Sequence, residues 1–286
     1  MTLSSIKTGF ATARSHKKII LIFYLFNLMF ALALALPFRA VISRFVGNSL
    51  MGAALADGFD MNFFFDFLNK NQPFLSGYMP FVFFLAILYW LIMQFFTGGV
   101  LATFMGGDKY DRELFWAASA KYFPRFVRLI LFMLPVGLIL LALQFAITGV
   151  ERLFWGDDPY EYITYWMDWG RVALRGAAIL FFFIILDYAK IQIVDKDRKR
   201  VRRALGKSIV FSFKNFISTF AISLLLSLVG VAVLFFYTFL ADALNFANLA
   251  GIIGVILLQQ LYMAFRMFMK LTLLSSQVIF FNGRVR

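Results

Sequence analysis

The hydrophobic residues of this chain fall into long continuous runs, not into the alternation of half-buried strands or the narrow stripes of soluble helices. Runs near 19–37, 80–103, 129–147, 172–193, 217–240 and 249–271 are each long enough to cross a hydrocarbon core of about 30 Å, which takes about 20 helical residues. Lipid offers the backbone no hydrogen-bond partner, so a spanning segment must satisfy its own groups, as a helix or in a closed barrel. Barrel strands alternate over about ten residues, and these runs do not. The pattern predicts an all-α fold: a polytopic membrane helical bundle of six transmembrane helices in three hairpins. Lys17-Lys18 before the first run could suggest a secretory signal. From Ile19 to Pro37, however, the run is longer than the roughly 7–15 residues of a signal core, so it is read as the first span.

The connections carry patterns of their own. The stretch DGFDMNFFFDFLNKNQPFL at 57–75 predicts a helix with Phe63, Phe64, Phe67 and Leu68 on one side. In WGDDPYEYITYWMDWG, Pro159 suits a helix start behind Asp157-Asp158. Tyr160, Tyr162, Tyr165, Trp166 and Trp169 supply aromatic rings that favour the headgroup level. Each odd-numbered run is preceded by a basic stretch with helical apolar periodicity: Ser5–Lys18, Arg112–Arg128 and Lys199–Asn215. The apolar members are Ile6, Phe10 and Ala13 in the first, and Leu114, Phe115, Ala118, Tyr122 and Phe126 in the second. In the third they are Val201, Leu205, Ile209, Phe213 and Phe216. Basic pairs seven apart recur as Lys7/Arg14, Lys121/Arg128 and Lys207/Lys214, and seven residues return a helix to nearly the same face. One membrane domain, 1–286, with repeats near 5–105, 112–194 and 199–281, is the expectation. Each repeat is a cytoplasmic amphipathic interfacial helix followed by a hairpin. Basic loops placed ahead of spans by coincidence would give the same signal.

Charge sets the orientation. Of the 28 Lys and Arg, all but Arg39, Arg44, Lys70, Arg152, Arg171 and Arg175 fall on the side of the two termini. Cytoplasmic loops concentrate Lys and Arg, so the arrangement is N-in, C-in. A net charge of +13 in a soluble protein would raise nucleic acid as a partner. Topology accounts for it here, and no nucleic acid is expected. At 62% hydrophobic and 15% charged, with mean hydropathy +0.81, no stretch is polar enough to form a separate soluble domain. The absence of cysteine excludes disulfides, thiol chemistry and iron–sulfur clusters, and the single His16 excludes a multi-histidine metal site or bis-histidine haem. No metal or cofactor is expected.

No catalytic residue emerges, for the chain holds no GxSxG, P-loop or HExxH. Asp57 and Asp60 stand one helical turn apart in the first outer loop. They could share a cation or act as acid and base. The plainer reading is an Asp near a helix start on a solvated acidic face. Asp195-x-Asp197 lacks the Gly and distal Glu of a calcium loop.

Charges within the runs are more informative, since one at the bilayer centre costs about 2.5–3.5 kcal/mol. Arg171, Arg175 and Lys190 lie near span ends, where long side chains reach water without a partner. Asp187 lies about a turn inside and is too short to do so. Arg266, four residues before Lys270, has similar depth, so an Asp187–Arg266 pair is expected, with Lys190 or hydration as alternatives. Gln259 and Gln260 near the middle of the sixth run, with Asn27, Gln94 and Gln144 elsewhere, suit interhelical hydrogen bonds or, less commonly, a solute path. Gly98-Gly99 with Ala102, and Gly251 with Gly254, suit close helix contacts. Lys199, Arg200, Arg202, Arg203, Lys207 and Lys214 form a basic patch for anionic lipid headgroups.

Asp57-Gly58-Phe59-Asp60, the Asp187-Tyr188-Ala189-Lys190 exit from the fourth run, and a final helix carrying Gln259, Arg266 and Lys270 give the chain a layout. It resembles a group of uncharacterised bacterial six-span inner-membrane proteins. It is similar, more distantly, to the membrane domain attached to some bacterial glycerophosphodiester phosphodiesterases. The resemblance covers most of the chain and implies a location in the bacterial cytoplasmic (inner) membrane; it implies no activity. The expected function is non-enzymatic: a scaffold or accessory subunit acting through membrane lipids with anionic headgroups and through a membrane protein partner or self-association. The alternatives are a transporter of a lipid or small solute lined by Gln259, Gln260, Asp187 and Arg266, and a membrane enzyme using Asp57 and Asp60.

Overall fold

The computed structural model describes residues 2–47, 60–107, 110–156, 160–244 and 249–285. Among them all regular structure is α-helical. The helices are α1 (Thr2–Ser15), α2 (Lys17–Val46), α3 (Met61–Lys70), α4 (Gln72–Gly106), α5 (Arg112–Ala142), α6 (Gln144–Trp155), α7 (Glu161–Asp195), α8 (Val201–Lys214), α9 (Phe216–Ala243) and α10 (Leu249–Val285). Among the described residues six helical stretches are long and apolar enough to cross a membrane: α2, α4, α5 with α6, α7, α9 and α10.

Several boundaries differ from expectation. The first span does not stop at Pro37, which sits inside α2. The second begins at Gln72, ahead of Pro80. Helices in lipid tolerate proline because the one freed carbonyl finds substitutes locally. The predicted helix over 57–75 shortens to α3, closed by Asn71, whose amide donates to the Phe67 carbonyl at 3.0 Å. The expected start behind Asp157-Asp158 lies outside the described residues, and α7 begins at Glu161.

Two lead-in segments are separate helices and one is not. Side chains that turn back onto the last carbonyls close α1 and α8: His16 Nδ1 lies 2.8 Å from the Thr12 carbonyl, and the Asn215 amide donates to Phe211 at 3.1 Å. Such bonds satisfy groups a helix end leaves orphaned. The second lead-in has no such residue, and α5 runs through Pro124 into its span without a break.

The chain divides into two compact units. Unit 1 comprises Met1–Lys17, Gln94–Ala232 and Phe268–Arg286; unit 2 comprises Lys18–Met93 and Val233–Met267. In unit 2 the contacts are largely aromatic. Phe38 and Phe45 of α2 meet Phe67 of α3 edge-on at 5.8 and 5.4 Å, and Tyr237 stacks on Tyr262 at 4.7 Å. Of the expected apolar side of α3, Phe67 is buried, whereas Phe64 is exposed. Two pairs of polar span residues meet here. Tyr24 donates to Gln260 Oε1 at 2.8 Å and Tyr89 to Asn27 Oδ1 at 3.2 Å, the interhelical role expected of such groups.

Unit 1 holds the densest packing, in the C-terminal parts of three helices. Phe96–Leu101 of α4, Tyr188–Val194 of α7 and Leu274–Val278 of α10 are each buried on every side. The apolar stretch of α7 is mostly buried and those of the other spans are mostly exposed, which makes α7 the core helix of unit 1.

A lead-in segment lies against each of these three helices. A Cβ on Gly99 would come within 2.5 Å of Ser119 Oγ and 2.6 Å of the Phe115 carbonyl, so α4 and α5 touch backbone to backbone. Ser208 of α8 donates to the Ile185 carbonyl of α7 at 2.6 Å. Ser275 of α10 donates to the Gly9 carbonyl of α1 at 2.7 Å. The buried face of α1 is therefore Ser5, Gly9 and Ala13, while Phe10, expected on the apolar side, is 47% exposed. Small residues allow this approach where Phe would not. On α8 the buried line is Val201, Ala204, Leu205, Ser208 and Ser212; Phe213, expected to join it, is 63% exposed. Val201, Ala204, Leu205, Ser208, Ser212 and Thr219 repeat, position for position, the buried Phe115, Ala118, Ser119, Tyr122, Phe126 and Met133.

Candidate functional site

Burial of α7 on all sides carries two charges into unit 1. Lys190 is 5% exposed, and its Nζ lies 3.6 Å from Asp187 Oδ1. Gln277 of α10, 1% exposed, donates to Asp187 Oδ2 at 3.4 Å. The ammonium does not reach for water, as its position near a span end suggested. Helices on all sides of this turn close that route, and the carboxylate three residues earlier takes the charge instead. Arg171 likewise has partners, Asp168 at 2.7 Å and Glu151 at 2.8 Å, with Thr148 at 3.2 Å. The expected partner of Asp187, Arg266, belongs to unit 2.

The turn after α7 is fastened to α5. Asp197 has φ 45°, the left-handed region that Asp tolerates better than most residues. From there its carboxylate reaches Arg125 Nη1 at 2.6 Å and Lys121 Nζ at 3.0 Å. The hydrogen bond from Arg125, and then that from Lys121, hold its carboxyl below the usual carboxylate range.

Beyond this fastened turn, α7, α8 and the end of α10 line an open cavity of about 410 Å³. Gln192, Asp195, Lys196 and Arg198 line it from α7 and the turn; Gly206, Lys207, Val210, Phe211 and Lys214 from α8; Phe281 and Val285 from α10. Phe211 is held in place by ring contacts with Tyr188 at 5.0 Å and Phe281 at 5.2 Å. At Gly206 nothing lies within 4 Å of where a Cβ would stand, which leaves the mouth open. The lining combines four cationic side chains and one carboxylate with an apolar wall. That arrangement can hold a multiply charged anion with a hydrocarbon part.

Only Lys207 and Lys214 of the expected basic patch line this cavity. Lys199, Arg200, Arg202 and Arg203 are exposed outside it, with the Arg202 guanidinium 4.8 Å above the Phe132 ring. In the sequence Lys196 and Arg198 count only toward the cytoplasmic charge, and Gln277, Phe281 and Val285 carry no assigned role; the polar triplet Ser275-Ser276-Gln277 in an apolar helix is the one local sign of Gln277. Lys270 belongs to unit 1 and has an interaction partner; Gln259 and Gln260 stand in unit 2. Asp60 caps α3, accepting from the Asn62 and Phe63 amides at 2.8 and 3.4 Å, which fits the helix-start reading of this residue. Asp57 lies outside the described residues. Among the described residues no three metal-ligating side chains cluster.

Other cavities differ in character. One of about 460 Å³ between α5 and α7 is lined by Leu134, Gly137, Leu138, Ile179 and Phe182 and is apolar throughout. One of about 210 Å³ is lined by Thr12, His16, Thr103 and Ser275. No protein-family model, no curated protein and no solved structure matches this chain.

Proposed function

We propose that this chain is a non-enzymatic, multi-pass protein of the bacterial cytoplasmic membrane, a scaffold or accessory subunit that works through anionic lipid and a membrane protein partner. Both termini face the cytoplasm in this reading, which rests on the one-sided distribution of Lys and Arg. The three lead-in segments lie along the inner leaflet, two as helices of their own and one as the start of a span. Their exposed Lys and Arg each gain about 1 kcal/mol near anionic headgroups. The recurring burial pattern of α5 and α8–α9 supports a repeated hairpin unit.

The observation that carries the reading is where packing stops. Outside unit 1's buried helix ends, long apolar faces are bare: Leu138 is 69% exposed, Leu153 81% and Phe235 71%. Such surfaces suit lipid chains or another membrane protein. Tyr24 bonded to Gln260 and Tyr89 to Asn27 are interhelical ties, which supports packing over a solute path. The test is extraction of the full chain into native lipid discs, followed by lipid analysis and mass measurement. Anionic lipid enriched over the surrounding membrane, with a stoichiometric partner or a second copy, is the expected result. A lone chain with lipid of bulk composition would overturn the proposal.

A further inference from the structure

We infer that the cavity between α7, α8 and the end of α10 is a discrete binding site for one phosphate-bearing amphiphile. The phosphate is gripped by Arg198, Lys207 and Lys214, and the hydrocarbon lies against Val210, Phe211 and Phe281. The inference rests on the reading of the basic face as lipid-facing and narrows it from a diffuse charged surface to a single site.

Three observations converge. The first is charge: Lys196, Arg198, Lys207 and Lys214 line the cavity against the single carboxylate of Asp195. Among the described residues no carboxylate lies within ion-pairing distance of Lys207 or Lys214. A headgroup phosphate supplies the negative charge that such a set lacks, and its several oxygens can accept from more than one cation. The second is an orphan donor: Arg198 Nε is buried and has no hydrogen-bond partner among the described residues. Buried donors are nearly always paired, and one left open beside a cationic cavity marks the place of an acceptor. The third is the wall. Phe211 and Phe281 meet at 5.2 Å and present a continuous apolar surface with Val210 and Val285. A free inorganic anion has no use for such a wall, whereas an acyl chain loses water-exposed area against it. Lys207 and Lys214, seven residues apart, stand on one face of α8, and Gly206 leaves the approach to Lys207 unobstructed.

The experiment uses the full chain purified in dodecyl maltoside and counts bound lipid by native mass spectrometry. Dioleoylphosphatidylglycerol is the probe, dioleoylphosphatidylcholine the uncharged comparison, and inorganic phosphate a competitor. Lys207→Gln with Lys214→Gln is expected to weaken phosphatidylglycerol binding about 30-fold, from about fivefold for each charge lost. Arg202→Gln with Arg203→Gln removes the same charge from the same helix outside the cavity and should leave the single tight site within about twofold. Val210→Ser, at a position 66% exposed and so tolerant of change, should weaken the lipid and leave phosphate unaffected. Melting temperatures within error of the parent chain show that each variant is folded. Equal loss in both double variants would overturn the discrete site while leaving the lipid-facing reading standing. No preference of the parent chain for phosphatidylglycerol over phosphatidylcholine would overturn both. Phosphate that displaces the lipid, and binds alone with the same dependence on Lys207 and Lys214, would support the anion subsite and assign it to a soluble phosphate ligand.

Discussion

Ser275 donates its hydroxyl to the carbonyl of Gly9 at 2.7 Å, a bond between residues 266 positions apart. It rests on close backbone contact, for a Cβ on Gly9 would lie 2.8 Å from the Ser276 amide nitrogen. Gly99 has the same relation to Phe115 and Ser119. At both positions alanine must force helices apart.

Gly9→Ala and Gly99→Ala are therefore each expected to cost about 1–3 kcal/mol, as overpacked cores do. Gly176, also helical, has open space around it, and Gly176→Ala should be neutral or stabilising by up to about 1 kcal/mol. Thermal unfolding in detergent measures all three. Equal melting temperatures for Gly9→Ala and Gly176→Ala would refute the close contact.

The buried charges of α7 give a second expectation. Lys190→Met leaves Asp187 with Gln277 alone and should destabilise by about 3 kcal/mol, the low end for a broken buried pair, because Asp187 keeps some exposure. Lys190→Met together with Asp187→Leu should recover most of that loss, since an apolar pair of similar volume replaces both charges. A double variant no better than Lys190→Met alone would show that the two charges do not depend on each other.

The fastening of the α7–α8 turn should be acid-sensitive. Arg125 and Lys121 hold the Asp197 carboxyl below its ordinary range, so its contribution is complete above the unfolded carboxylate pKa. It fades as pH falls through the depressed folded value. Asp197 is half exposed, which limits the effect to below about 1 kcal/mol. Asp197→Asn keeps the tolerance for φ 45° and should remove that part of the acid dependence. Parallel stability–pH curves for the two proteins would rule the contribution out.

The chain's lack of cysteine makes sidedness directly measurable. A single cysteine replacing Tyr162, 72% exposed, should react with an impermeant maleimide added to intact cells. One replacing Lys199, also exposed, should react only after the membrane is opened. The reverse pattern would invert the topology.

The spans were legible because hydropathy is a local property: each apolar run declares itself without reference to any other. Their ends were less so. Pro37 reads as a stop in water and is carried through in α2, whereas His16 and Asn215 end helices through side-chain bonds that composition does not reveal. The basic patch was visible as charge, but which of its members line a cavity depends on α10. Phe281 and Val285 lie far along the chain from Lys207, and no local pattern connects them. Lys190 shows the same limit. From the sequence it is a lysine near a span end; what keeps it from water is its neighbours on every side.

The bond from Ser275 to Gly9 also sets an order of assembly. Translation at roughly 5–20 residues per second separates the two residues by about 13–50 s. Throughout that time α1 has emerged and its final binding surface on α10 has not. Of the described helices α1 is made first yet is among the last to dock, and its Gly9 face stays open until α10 has been inserted. A nascent chain stalled before Ser275 should leave α1 accessible to protease, and completing synthesis should close it.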